Sequence, residues 1–292
     1  MIHTIQNDYL ILSVQQKGAE LCRLYYKESG IEFMWNADPG VWASHAPVLF
    51  PIVGGLKNGS YEFEGKFYQM PKHGIIRRND EVTLLEQSPQ KLSFQLKANE
   101  ASKQLYPFDF EFIIHFELDG KKVLLRHEVI NHGANTMWFS LGGHPAFSVP
   151  LIEKEAYEDY FLEFDELETA RTWYLDANGL IAGEGKKILD QSNQIMLTHD
   201  LFANDALIFK SLKSKAVNLC SRKSGALLRM EYPAWPYLGV WAKPNGDFVC
   251  IEPWMGIADA QDASGKLEDK EGIMKLGVDE HFEAVYTIEL LK

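Results

Sequence analysis

The feature that most constrains this chain is its alternation. Apolar side chains recur at every second position in short runs from one end to the other, punctuated by glycine, asparagine or aspartate. A period of two puts one face of an extended segment against a core and the other towards solvent, so these runs predict strands. They fall at residues 9–14, 18–26, 32–35, 82–85 and 92–96, and later at 206–209, 216–219, 226–232, 237–242, 248–251 and 282–291. Residues 61–70 predict a hairpin turning at Glu64-Gly65. Residues 108–129 predict a longer one turning at Asp119-Gly120, a dipeptide suited to a two-residue turn. Helical spacing is scarce: residues 153–160 and 195–203 have room for a turn or two, without convincing caps. Many closely spaced strands with few short helices predict an all-β fold, a sandwich or a barrel. No Ser/Pro/Gly-rich linker or internal repeat divides the chain, and the polar stretch 259–270 is short. One domain over residues 1–292 is the expectation.

Charge narrows the partners. The formal net charge is -12, with a pI near 5.2, whereas nucleic acid and anionic membrane surfaces both select basic patches. A neutral, polar small molecule is indifferent to that charge. Cys22, Cys220 and Cys250 cannot complete a disulfide set and sit in apolar, strand-like contexts, so they are expected as reduced core residues of a cytoplasmic protein. The N-terminus has no basic-then-apolar signal pattern, and no apolar run reaches membrane-spanning length. The pattern does not define an oligomeric state.

Three stretches carry residues suited to chemistry. Trp138-Phe139-Ser140-Leu141-Gly142-Gly143-His144-Pro145-Ala146-Phe147 starts as an apolar strand and then meets two glycines, a histidine and a proline. The glycines let the backbone bend or approach something closely, and Pro145 has no N–H for a ladder. His144 then sits at the end of a stiff strand. It is either a proton donor and acceptor near neutral pH or a half-buried histidine bonded to a carbonyl. Lys72-His73-Gly74-Ile75-Ile76-Arg77-Arg78 offers a second histidine and the permanent donor fork of Arg77, or else a surface loop with scattered charges. Phe248-Val249-Cys250-Ile251-Glu252-Pro253-Trp254 ends a buried strand on a carboxylate. Desolvating Glu252 beside an indole raises its pKa towards that of a general base, unless it reaches solvent at the rim. Asp205, at the head of the 206–209 strand, is as much a turn residue as a ligand. Trp42, Phe147, Trp235, Trp241 and Trp254 have flat apolar faces for a sugar ring, or fill the core.

The nine histidines show no metal spacing: there is no His-x-His, His-Glu-x-x-His or Cys-x-x-Cys, and His127 and His132 stand five apart. Serine-nucleophile and phosphate-cradling glycine motifs are also lacking. What remains is acid–base work on a neutral ligand by histidine and glutamate, with no metal and no cofactor expected.

Taken together, these stretches resemble the aldose 1-epimerases, or galactose mutarotases, and among them the shorter LacX-like bacterial branch. The resemblance covers nearly the whole chain, in order: Gly18-Ala19-Glu20-Leu21, Leu49-Phe50-Pro51-Ile52-Val53-Gly54-Gly55-Leu56, His73-Gly74-Ile75-Ile76-Arg77, Gly143-His144-Pro145-Ala146-Phe147 and Ile251-Glu252-Pro253-Trp254. It implies a large single-domain antiparallel β-sandwich of the galactose mutarotase type, with the site in a cleft on one sheet. It also implies interconversion of the α and β anomers of an aldose such as galactose or glucose. By matching motif, Glu252 is the general base on the anomeric hydroxyl and His144 the acid that protonates the ring oxygen. His73 assists as a second histidine, and Asp205 holds ring hydroxyls. Arg77, Trp254 and Phe147 complete the expected sugar contacts. One departure is Gly55, where many members of this branch carry an arginine in a Gly-Arg-Leu pattern. The resemblance leaves two other readings on this fold, a non-catalytic sugar sensor and a hexose-6-phosphate mutarotase. A glycosidase needs two carboxylates about 5–9.5 Å apart, and Glu252 has only Asp205 as an obvious partner.

Overall fold

The computed structural model describes residues 1–292. A 15-stranded antiparallel sheet dominates it, beside a four-stranded meander from Ile2 to Glu32 and two two-stranded ribbons. The expected hairpins form where the alternation is cleanest. Lys122–Asn131 alternates buried and half-buried residues along its whole length, and pairs with Phe110–Asp119. Their turn is Gly120-Lys121, one residue past the expected dipeptide. Asp119 still pairs with Lys122, and Gly120 takes the positive φ of 58°. Ser60–Phe63 and Lys66–Gln69 close around Glu64-Gly65 as expected. The faces turned inward form one cluster of 72 buried apolar residues. Phe50, Phe94, Phe110, Phe112, Phe116 and Phe139 are among the largest. Each such side chain stabilises the fold by about 1.5–3 kcal/mol relative to exposure.

Three expectations are corrected. The largest hairpin, Tyr160–Leu175 with Ile181–Met196, lies where the alternation predicted no strand, between the two expected helical turns. Repeated register shifts break its alternation, and much of its surface is exposed on both faces, so the period-2 signal is lost. The two expected helical turns shrink to 3-10 turns at Tyr157–Asp159 and His199–Phe202. The single α-helix is Glu100–Lys103, capped by Asn99, whose side chain accepts the Ser102 N–H at 2.8 Å. Thirdly, the strand expected to end before Glu252 continues as Phe248–Met255, with every residue buried.

That last strand positions everything that follows. On one side it pairs with Tyr237–Trp241, with Gly239 opposite Glu252. On the other it pairs with two short strands, Leu141–Gly143 and Ala146–Ser148, separated by His144-Pro145. Gly142 lies opposite Trp254 and Ala146 opposite Cys250, so the register carried through the break sets His144 across from Glu252. The break expected at the glycine pair and Pro145 is present, and it faces the carboxylate.

Candidate active site

His144 and Glu252 face each other as a cross-strand pair, with His144 Nε2 3.2 Å from Glu252 Oε2. The pair sits at the base of a cavity of about 300 Å³ lined also by Trp42, His73, Arg77, Asp205, Trp241 and Trp254. Two glycines make room for the indole of Trp254. A Cβ at Gly142 or Gly239 would lie only 2.8 or 2.4 Å from its ring atoms. Glu252 and Trp254 project to the same face of the strand, two residues apart. Glu252 Oε2, Trp254 Nε1 and His144 Nδ1 are all buried without an aligned hydrogen bond inside the protein. Native structures rarely leave such groups unpaired, and here they converge on one cavity.

Burial decides the electrostatics. It pushes Glu252 well above the usual carboxylate range. Asp205 adds to that shift, while Lys72 and the Trp254 N–H oppose it. Burial likewise pushes the His144 imidazole down to about 3, opposed by its own backbone and reinforced by Arg77 and Lys72. Glu252 protonated with His144 neutral, and Glu252 ionised with His144 charged, contain the same number of protons. The pair therefore holds one mobile proton, and the dry pocket favours the uncharged arrangement. Trp42 lies stacked on the His144 ring, with centroids 5.1 Å apart, and a π face so placed is more favourable to an imidazolium than to a neutral ring.

His73 is held by its own loop. Its backbone takes φ 70°, a conformation unusual for a non-glycine residue. Two bonds to Gly54 fix it: His73 N–H donates to the Gly54 carbonyl at 2.9 Å, and Gly54 N–H donates to His73 Nδ1 at 3.2 Å. Gly74 must follow, because at φ 82° a Cβ there would lie 2.1 Å from the Phe50 carbonyl oxygen. With Nδ1 accepting, the proton resides on Nε2. Burial, with help from the charges of His144, Lys72 and Arg77, holds the ring neutral by pushing its pKa well down. His73 thus offers a fixed N–H donor, edge-on to His144 at a ring separation of 5.8 Å.

The structure brings together His144, Glu252, His73, Arg77, Asp205 and Trp254 from the sequence expectation, with Trp42 and Trp241. Arg77 is anchored by donating to Ser44 Oγ at 3.2 Å, and Asp205 is exposed at the mouth. Phe147 is the correction. It pairs with Val249 rather than facing Glu252, is fully buried, and belongs to the core instead of the cavity wall. Its neighbour Val249 is an odd number of residues from Glu252, so it projects to the other face of the sheet. Gly55 also lies off the cavity; a Cβ there would meet the Gly179 carbonyl at 3.5 Å. Sequence reasoning missed Lys72, Lys243 and Leu175 as wall residues. Lys72 adjoins His73 and could have been read from that loop. Leu175 ends a strand that the sequence did not reveal.

Cys250, on the Glu252 face, brings its sulfur within 4.8 Å of the ligand atoms of His144 and Glu252. Burial and the Glu252 charge push the thiol well above its ordinary pKa, so it stays protonated, which does not suit a thiolate metal ligand. His127 and His132 stay outside the cavity. His127 is enclosed by Phe112, Trp235 and Tyr286, and His132 lies 2.8 Å from Glu111. The three cysteines are free, with Cys22 only partly buried. No helix is long and apolar enough to cross a membrane.

This arrangement has relatives. The chain is 34% identical over 281 residues to the plasmid-encoded protein LacX of Lactococcus lactis subsp. lactis, covering 93% of each. A galactose mutarotase related enzyme from Lactobacillus acidophilus superposes with a TM-score of 0.93 at 34% identity, covering 100% of this chain and 98% of that one. A galactose mutarotase-like protein from Lactobacillus casei gives 0.92 at 25% identity, with full coverage of both. The fold is therefore of the galactose mutarotase type. Since the aldose 1-epimerase family model matches residues 1–266, the chain belongs to the aldose 1-epimerase family.

Proposed function

We propose that this protein is an aldose 1-epimerase working in the cytoplasm as one unit over residues 1–292, interconverting the anomers of a hexose such as galactose or glucose. The observation that carries the reading is the His144–Glu252 pair, 3.2 Å apart at the buried end of the cavity. Ring opening removes a proton from the C1 hydroxyl and delivers one to the ring oxygen as the C1–O5 bond breaks. Both oxygens are bonded to one carbon, so an acid and a base side by side serve both. Glu252 takes the hydroxyl proton and His144 gives its own to O5. Rotation about C1–C2 of the open aldehyde and closure with roles reversed yields the other anomer.

The proton count fits. The charged pair is the state that attacks the ring. The uncharged pair, favoured by burial, is the state that accompanies the open aldehyde, so the pocket stabilises the pair's arrangement after ring opening. His73, neutral with its proton on Nε2, supplies a hydrogen bond to the sugar. Asp205 and Arg77 are suited to hydroxyl contacts, and Trp254 gives the ring an apolar wall. Anomer exchange measured by NMR on glucose and galactose tests the reading. Wild type accelerates exchange, and Glu252→Gln, similar in shape but a far weaker base, loses about 10²–10⁴-fold. Binding without acceleration by a folded wild-type protein would leave a sugar sensor instead.

A further inference from the structure

His144 lacks the anchor that usually fixes an imidazole. A histidine that moves protons through one ring nitrogen is ordinarily oriented by a third group bonded to the other. Here Nε2 lies 3.2 Å from Glu252, and Nδ1 is buried with no aligned partner. The pairing sets the distance of one nitrogen and leaves the ring plane undetermined. Aromatic rings enclose that plane instead. Trp42 lies on the imidazole face at an interplanar angle of 26°, and Trp241 and His73 stand at its edges, at 82° and 86°.

Trp241 is carried by a strand, whereas Trp42 sits in a segment, residues 36–47, with no helix or strand of its own. That segment is pinned around the indole. The Trp42 N–H donates to the Asp38 carbonyl at 2.8 Å, and the Trp42 carbonyl accepts from Trp35 Nε1 at 2.9 Å. Next along the chain, the Ala43 carbonyl accepts from Arg78 Nη2 at 2.9 Å. The carboxylate of Glu20, 6% exposed, accepts the Ala46 N–H at 3.0 Å together with that of His45. Glu20 belongs to the N-terminal meander, which contributes no residue to the cavity wall, so its buried charge acts on the segment that carries Trp42. The indole also stacks on Phe248, with centroids 5.4 Å apart, and thus bridges His144 and the first residue of the strand that carries Glu252. A cation on an indole face is favoured most where water is excluded, and Lys72 and Arg77 oppose a cation at His144.

We propose that Trp42 is the positioning residue for His144: its pinned indole holds the imidazole in line with Glu252 and steadies the imidazolium that gives its proton to O5. The kinetic arm of the test rests on the epimerase reading above, and the orientation arm is independent of it. Wild type is compared with Trp42→Phe, which keeps a π face, and Trp42→Leu, which keeps only bulk. Anomer exchange of glucose and galactose, followed by NMR at equilibrium, gives kcat and KM separately. The expected result is a kcat about tenfold lower in Trp42→Leu with KM changed less than about twofold, and most of that loss restored in Trp42→Phe. With isotope-labelled histidine, and His144→Ala to identify the signal, the His144 ring gives one sharp set of resonances in wild type and Trp42→Phe. Trp42→Leu gives a broadened or doubled set. A KM that rises with kcat intact would make Trp42 a wall for the sugar and overturn the proposal. Trp42→Phe as slow as Trp42→Leu, or a single sharp His144 signal in all three proteins, would do the same. If Trp42→Leu does not fold, Arg78→Met decides, since Arg78 is exposed and its loss unpins the Ala43 carbonyl. It should lower kcat and broaden the His144 signal, and no change in either would overturn the proposal. No acceleration by wild type would remove the epimerase reading, and the resonances alone would then decide whether Trp42 orients the ring.

Discussion

At the scale of single residues, the site is a lesson in how burial and register assign chemistry. His144 and Glu252 were legible because each carries an unusual neighbour: a glycine pair and proline for one, a proline and tryptophan for the other. Their distance was not legible, because it follows from the shared register with Phe248–Met255. Phe147 sits in the same motif as His144 but on the opposite face, which residue type cannot reveal. The pair also sets an expected pH profile. Adding a second proton means charging a His144 held down to about 3, and removing the last one means ionising a Glu252 held above its ordinary range. Both limbs belong to the pair jointly. The expected kcat/KM for anomer exchange therefore shows no limb at the ordinary histidine value near 6.5; it falls at more acid pH, and again on the alkaline side where the pair loses its last proton. A limb centred near 6.5 in wild type, absent from a slow His144→Ala variant, would mean that His144 is hydrated and titrates like an exposed imidazole.

At the scale of elements, the strands with clean alternation were legible and the long 160–196 hairpin was not, since its repeated shifts and exposed faces leave no period to read. That omission hid the cavity wall at Leu175, because the hairpin supplies it. The polar stretch 259–270 is irregular apart from a 3-10 turn at Leu267–Asp269, and its anchoring was invisible in the sequence. Lys270 Nζ donates to Asp259 Oδ1 at 2.8 Å and to the Ile257 carbonyl at 2.6 Å, and both side chains are nearly inaccessible. Asp259 in turn accepts the Lys57 N–H, and its own backbone N–H donates to the Gly55 carbonyl. The pair thus ties the segment after the Glu252 strand to the loop that holds His73. Lys270→Ala leaves a buried carboxylate without its partner and should destabilise the fold by about 3–5 kcal/mol, read from denaturant unfolding. A loss within about 0.5 kcal/mol of wild type, as for an ordinary surface substitution, would show that water reaches Asp259.

At the scale of the whole molecule, the same dry interior that tunes the site couples stability to pH. Between pH 5 and 6 the His144–Glu252 pair nearly cancels. Unfolding lets His144 bind a proton below about 6.5 and lets Glu252 release one above its ordinary value, so the sum barely changes. His73 and His127 have no such partner. Burial holds His127 down to about 3 and His73 well below its ordinary value, so both stay neutral when folded and charge when unfolded. The sign follows: below about 6.5 the unfolded chain binds more protons, and stability falls as pH falls from there towards the native values. His127 isolates the effect, because it lies outside the cavity over the His144–Glu252 pair and neither ring nitrogen makes an aligned hydrogen bond. Phenylalanine fits its aromatic surroundings of Phe112, Trp235 and Tyr286. His127→Phe should keep anomer exchange and match wild-type stability near pH 7. It should also reduce the dependence of unfolding free energy on pH between 5 and 6 by about 1.4 kcal/mol per pH unit, the weight of one proton. Urea unfolding across that range reads the slope directly, and an unchanged slope would mean that His127 is already protonated in the fold.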